Sequence, residues 1–364
     1  MSLAKRIGLN LAAPVLAMVV AMLIATVILV ATGDDVGAFW STMLSWPENR
    51  NLVNILNATA VLYLSGVAAA IGFKMNLFNI GVEGQYRIGA FFAAAFAGAA
   101  ILPGVLNTVV AVLIAMATGA LWAGIAGFLR VTRGVSEVIS TIMLNAIASG
   151  IVGFLLPRWG EQTGVSTSTK TIPDSSHVGS LGLIPDAGNA KIYGLALLAI
   201  VVGVAYSVVL NRTRFGFDLR ATGQSETAAV ASGVSVKRMI MISMLMSGAV
   251  AGLIGMPVLF GQAFNYGTSF QTGIGFAGIA VALLGRNHPL GILAGALIFA
   301  FLSEQGNLLN ILAGVSPDIV GVTQGVIVMA VVIAYEVVRR YRNRLEQAAV
   351  AEQVVAKTGE EARG

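Results

Sequence analysis

The chain has 364 residues, 57% hydrophobic and 11% charged, with a mean hydropathy of +0.84; soluble domains carry about 25% charged residues, so a water-soluble globule is excluded. A formal net charge of +5 acquires meaning only once it is placed on sides of a membrane. The absence of cysteine removes disulfides and thiolate chemistry, and with His177 and His288 as the only histidines a metal centre is not expected.

Apolar runs between charged or turn-rich breaks predict about ten helices, where a spanning helix takes roughly 20 residues. In chain order they are Leu9–Ala31, Leu52–Phe73, Ile88–Leu102, Val105–Leu129, Val135–Leu156, Ile192–Leu210, Met239–Phe260, Gly275–Leu284, Leu290–Ser303 and Ile319–Val338. Such runs are too long for the roughly ten-residue alternating strands of a barrel. The first follows Lys5 and Arg6 but exceeds a signal-peptide core and lacks a clear cleavage site, so it is read as a retained helix. Gly275–Leu284 is too short to span alone; it either borrows from Phe270–Ile274 or belongs to a broken helix. The expected fold is an all-α integral membrane bundle with short or broken helices. One transmembrane domain covers residues 1–341, and a polar cytoplasmic tail follows at 342–364.

With both termini in the cytoplasm, most basic residues fall on that side, including Lys74, Arg87, Arg130, Arg133, Arg212, Arg214, Arg220, Lys237, Arg238 and Arg286. Arg50, Arg158, Lys170 and Lys191 remain outside. The basic tail then reads as positive-inside charge, and no nucleic-acid partner is expected. Two connections are longer than helix joining requires. The outer one, residues 157–191, suits either a docking surface or a plain solvated loop. The inner one, residues 211–238, holds the helical stretch Ser225–Ser232, with Ser225 as cap, Glu226 in the positive first turn and Gly233 as stop.

No G-x-x-x-x-G-K-[ST] is present, so ATP-driven work would have to come from another chain. Gly273, Gly275 and Gly278 match G-x-G-x-x-G but lack the preceding strand and following acid of a dinucleotide site, and read as helix-packing or helix-breaking glycines. No nucleophile with an adjacent base and no hydrolytic acid pair is found, so neither enzymatic chemistry nor a cofactor is expected.

The segment Gly72–Arg87 interleaves Lys74, Asn76, Asn79, Glu83, Gln85 and Arg87 with Gly81 and Gly84, too polar for lipid contact. Two readings stand: it lines a pathway, as buried polar groups and Gly-broken helices do in transporters, or it is the cytoplasmic turn between two spans. The pairs Ser65-Gly66 and Ser247-Gly248, each followed by a glycine-rich break, suggest an internal duplication. The second break, Phe264–Phe276, carries aromatics that either stack on a flat substrate or anchor the interface. Along the fifth span, Glu137, Ser140, Thr141 and Asn145 follow one another at helical spacing; Glu137 either faces the bundle or caps that helix beside Arg133. The residues assigned to a substrate pathway are Phe78, Asn79, Glu83, Gln85, Asn145, Phe270 and Gln271.

The strings Asn79-Ile80-Gly81-Val82-Glu83-Gly84-Gln85, Glu137-Val138-Ile139-Ser140-Thr141-Ile142-Met143-Leu144-Asn145, Phe215-Gly216-Phe217-Asp218-Leu219-Arg220-Ala221-Thr222-Gly223 and Ile279-Ala280-Val281-Ala282-Leu283-Leu284-Gly285 resemble the membrane permeases of bacterial ABC importers for simple sugars and nucleosides. The first string is similar to the nucleoside branch. The resemblance implies a bacterial inner-membrane subunit that works with ABC ATPase subunits, a second permease subunit and an extracytoplasmic substrate-binding lipoprotein. It also implies that the short inner helix is the ATPase-coupling element, with Gly223, Glu226, Ala228, Ala229, Gly233 and Val234 as coupling residues. The competing expectation is a stand-alone transporter driven by an ion gradient, for which Glu83 or Glu137 would be the intramembrane carboxylate.

Overall fold

The computed structural model describes residues 19–20, 22–163, 166–313 and 319–326, together with 328–330, 333–334, 337 and 340. The start of the first expected span and the tail 342–364 lie outside the described residues. The chain divides into two compact units, residues 45–305 and a second made of 1–44 with 306–364. In the second, α1 (Met22–Thr32) precedes α2 (Val36–Met43), which Asp35 caps by accepting the Ala38 amide. Trp40 reaches back to donate to the Thr26 hydroxyl. α14 (Ile319–Ala330) belongs to the same unit.

The larger unit is built around α3 (Asn49–Lys74), whose middle is Ala, Gly, Ser and Val and whose apolar window is 89% buried. Around it stand α4 (Val82–Gly98), α5 (Gly104–Arg133), α6 (Glu137–Trp159), α7 (Leu197–Arg212), α10 (Val236–Gly252), α12 (Ile274–Leu284) and the first part of α13 (Pro289–Ala313). Two helices, α8 (Arg214–Gln224) and α9 (Glu226–Ala231), join α7 to α10. The windows of α5, α6 and α7 are only 28% buried, and they turn Leu121, Ile142, Phe154 and Ile200 outward. An apolar outer face of that kind requires lipid, because water would penalise each bare side chain.

Without a hydrophobic drive between helices in lipid, close backbone approach supplies the packing. A Cβ on Gly252 would sit 2.0 Å from the Ala115 carbonyl oxygen, and one on Gly119 2.3 Å from that of Gly248, so α5 and α10 touch backbone to backbone. The two Ser-Gly pairs act alike. Ser247 donates to Ala68 O at 2.6 Å while Gly248 admits α5. Ser65 donates to Ile274 O at 2.9 Å while Gly66 admits Val281 and Ile292.

Among the described residues six helices are long and apolar enough to cross a membrane; the other expected spans arrive as shorter or broken pieces. The third begins six residues earlier than hydropathy places it, at Val82, and ends at Gly98. Arg87 is therefore not a loop residue at the inner surface: it lies on α4 and donates to Ser149 midway along α6. The run Met239–Phe260 falls within one of those six, Val236–Ala263, which is irregular in its second half: α10 stops at Gly252, and the single turn α11 (Met256–Val258) and a π-helical turn, Leu259–Ala263, continue it. Irregular chain then leads to Gly273, whose φ of +83° starts α12. This is the broken-helix alternative, and α12 borrows nothing from residues 270–273.

One end of the unit is basic. Lys74 lies close enough to Arg220 and Arg286 to feel their charge, and Arg130 meets Glu137 at 3.5 Å nearby. The opposite end is loop-rich, with β1 (Glu161–Thr163) paired antiparallel to β2 (Ser166–Ser168). The long connection there is stitched to the broken segment: Thr169 N donates to Tyr266 O, Ile172 N to Phe264 O, and His177 stacks on Phe264 with centroids 3.7 Å apart.

Candidate functional site

Breaking a helix inside a bundle leaves backbone amides without intrahelical partners and a partial positive charge at the new N-terminus. Here the break before α12 is answered by Glu83. Its Oε1 accepts the Gly273 amide at 2.9 Å and its Oε2 the Gly275 amide at 2.8 Å, and the residue is 5% exposed. Only glycine fits at Gly275, where a Cβ would lie 2.3 Å from the Glu83 nitrogen. Two charge-assisted bonds of about 1.5–3 kcal/mol each thus tie α4 to α12.

The rest of the polar cluster supports this junction. Asn79 and Gln85 exchange amide hydrogen bonds at 3.0 Å in both directions, and Asn79 also donates to Ser247 at 2.8 Å and accepts the Gly81 amide at 3.0 Å. Asn145 accepts the Gly84 amide at 2.8 Å and donates to Ile80 O at 2.9 Å, while Thr141 accepts the Ile80 amide. Glu137 accepts the Phe78 amide and pairs with Arg130, so it belongs to the turn 75–81 rather than to Arg133. Of the two readings of Gly72–Arg87, the geometry shows a turn at residues 75–81 and a helix from Val82. The turn folds inward, so that Asn79 is fully buried. Tyr86 donates to Gln271 O at 3.0 Å, its ring lies 6.1 Å from that of Phe270, and the Phe270 ring lies 4.7 Å from that of Tyr266, centroid to centroid.

Asn79, Glu83, Gln85 and Asn145 are therefore brought together, and their side chains are engaged with the protein's own backbone and amides. Phe270 is buried beside them, and Gln271 contributes its carbonyl while the residue itself is exposed. Phe78 stands apart, 43% exposed, against Phe73. Sequence reading left out Ser247 and Thr141 as partners of this cluster, and Arg130 as the partner of Glu137; none lies in the same sequence segment as its partner.

The residues assigned to coupling occupy a helical elbow at the basic end. Thr213 caps α8 by accepting the Gly216 amide at 3.0 Å, Ser225 caps α9 through the Ala228 amide, and Arg220 donates to the end of α7 at Leu210 O. Gly223 presses α8 onto the end of α3, where a Cβ would meet Lys74 O at 2.4 Å. Ala229 is 3% exposed and faces the protein, whereas Glu226 and Ala228 face outward. Gly233, at φ +81°, ends α9, and Val234 is half-buried. The elbow's exposed large apolar residues are Phe217 on α8 and Val230 on α9, both absent from the sequence assignment; for Val230 the reason is that a six-residue helix has no readable face.

Residues 51–333 match the family described as branched-chain amino acid transport system / permease component. The chain is 32% identical over 338 residues to the guanosine ABC transporter permease protein NupP of Bacillus subtilis, covering 92% of this chain and 96% of that one. It is 31% identical to the glucose ABC transporter permease protein TsgB13 of Haloferax volcanii, covering 90% and 88%. It is 30% identical to the nucleoside ABC transporter permease protein NupB of Lactococcus lactis, covering 88% and 90%.

Proposed function

The chain belongs to the branched-chain amino acid transport system permease family, and from that premise we propose that it is the membrane subunit of an ATP-powered nucleoside importer, driven by an ATPase that docks on the α8–α9 elbow. Two of the relatives above are named for nucleosides and one for glucose. Nucleosides are neutral and need hydrogen bonds rather than fixed counter-charges. The positive-inside bias puts the elbow in the cytoplasm and the loop-rich end outside.

The observation that carries the coupling is the elbow itself: two short capped helices projecting from the basic end with Phe217 65% and Val230 61% exposed. A displacement there has a packed route inward. Gly223 bears on the end of α3, α3 holds α12 through Ser65, and α12 holds α4 through Glu83. Closure of the ATPase would move these elements between two packings, and only a differential interaction with the two states is required. The second permease and the external binding protein complete the pathway and supply substrate affinity.

A gradient-driven transporter would use a carboxylate that exchanges a proton or ion. Both candidates are occupied, Glu83 by two backbone amides and Glu137 by Arg130 and the Phe78 amide, which favours the ATP-driven reading. The test is uptake of labelled guanosine into proteoliposomes. Accumulation is expected only when ATPase, partner permease and binding protein are present with ATP. Accumulation by the chain alone under a proton or sodium gradient would overturn the proposal.

A further inference from the structure

At the loop-rich end lies a cleft of about 400 Å³, set between the start of α3, residues 180–193 and the π-helical turn. That volume falls within the range of small-solute pockets, roughly 300–1,000 Å³. Its floor is built rather than accidental. Asn57, 5% exposed, donates to Lys191 O at 3.0 Å and accepts the Tyr193 amide at 2.9 Å, which fixes both residues of one wall. Tyr193 donates to Gln262 Oε1, so the Gln262 amide group is oriented with Nε2 as its remaining donor. The ring of Tyr193 is seated on Gly261, where a Cβ would lie 2.7 Å from the ring carbons. Asn54, held by Glu304 through its Nδ2 at 2.7 Å, adds a carbonyl, and Asn189 also lines the cleft. Among the described residues no carboxylate lines the cleft.

We propose that this cleft is a reception site for a neutral nucleoside on its way into the pathway. Side-chain amides both donate and accept, as base edges and ribose hydroxyls require, and a half-buried tyrosine offers a flat apolar wall. Arg50 and Lys191 add donors at the rim. The cleft ends on Gly261 and Gln262, inside the π-helical turn that opens the broken segment toward α12. Occupancy therefore bears on the same discontinuous element that Glu83 latches at its far end. The inference rests on the nucleoside reading above, but it concerns a separate position within this chain.

Because this chain contains no cysteine, a single reporter placed in it is unique within the chain, and labelling is read on this subunit after the complete importer is separated on a gel. Asn189→Cys within the cleft and Leu183→Cys, 69% exposed and outside its lining, are labelled in vesicles with a membrane-impermeant maleimide. Guanosine is expected to slow labelling of Asn189→Cys about tenfold and to leave Leu183→Cys unchanged. Adding Gln262→Ala should raise the guanosine concentration for half-protection about tenfold, the loss of one well-made hydrogen bond. Protection by inorganic phosphate in place of guanosine would assign the cleft to an anion and overturn the inference. Uptake of guanosine by the same vesicles without protection would overturn it while leaving the transport reading intact. Protection without uptake would do the reverse, and neither uptake nor protection would overturn both.

Discussion

Glu83→Ala is expected to lower ATP-dependent guanosine uptake more than tenfold while the importer still assembles. The substitution leaves the amides of Gly273 and Gly275 without their acceptor, and each orphaned buried amide costs about 1–3 kcal/mol. The start of α12 then loses its attachment to α4, and motion delivered to α3 no longer reaches both helices together. Glu83→Gln should fall between wild type and Glu83→Ala, because the amide oxygen still accepts a bond but the charge that complements the α12 terminus is gone. Uptake assays in proteoliposomes and thermal unfolding of the purified chain measure the two consequences separately. Wild-type values for Glu83→Ala in both would remove the latch from the mechanism.

Val230→Asp combined with Phe217→Asp should abolish stimulation of the ATPase and its co-purification while leaving insertion and thermal stability of this chain unchanged. Both side chains are more than half exposed, so the free protein loses little. In a docked complex each would carry an unpaired carboxylate into an apolar contact, an effect of the order seen at interface hot spots, about 2 kcal/mol or more per residue. Ala229 is a poor site for this experiment, since it faces α9's own support and a charge there would disturb the elbow itself. Retained co-purification of the ATPase with the double variant would move the docking surface elsewhere.

How much of this was legible in the sequence depended on whether hydropathy or tertiary pairing decided the element. α3, α5, α6 and α7 follow their apolar runs to within a few residues, except that α7 starts later, after a 3₁₀ turn at Gly194–Ala196. The α9 boundaries were also readable, because Ser225, Glu226 and Gly233 are local signals and act as such: a side-chain cap, a first-turn acid and a left-handed stop. α4 was misplaced because Glu83, Gln85 and Arg87 look like a loop until their partners at the α12 terminus, at Asn79 and in α6 are known. The break between Gly252 and Gly273 was only half visible. Residues 253–260 are as apolar as any spanning helix, and the chain leaves the helical path there through the left-handed Phe264 and Gly273 and its pairing with residues 168–172. The polar cluster was found by type but not by role, since spacing shows that amides lie near one another and not that they bond to each other.

The central claim is that another chain's ATP hydrolysis enters this one through the elbow. The most direct measurement places a single cysteine at Val230→Cys in the assembled importer and asks what a short bifunctional crosslinker joins it to. The account expects a crosslink to the ATPase subunit from the cytoplasmic side and loss of guanosine uptake once it forms. Labelling of Val230→Cys by an impermeant reagent from the opposite side, or full uptake with no crosslink to the ATPase, would contradict it.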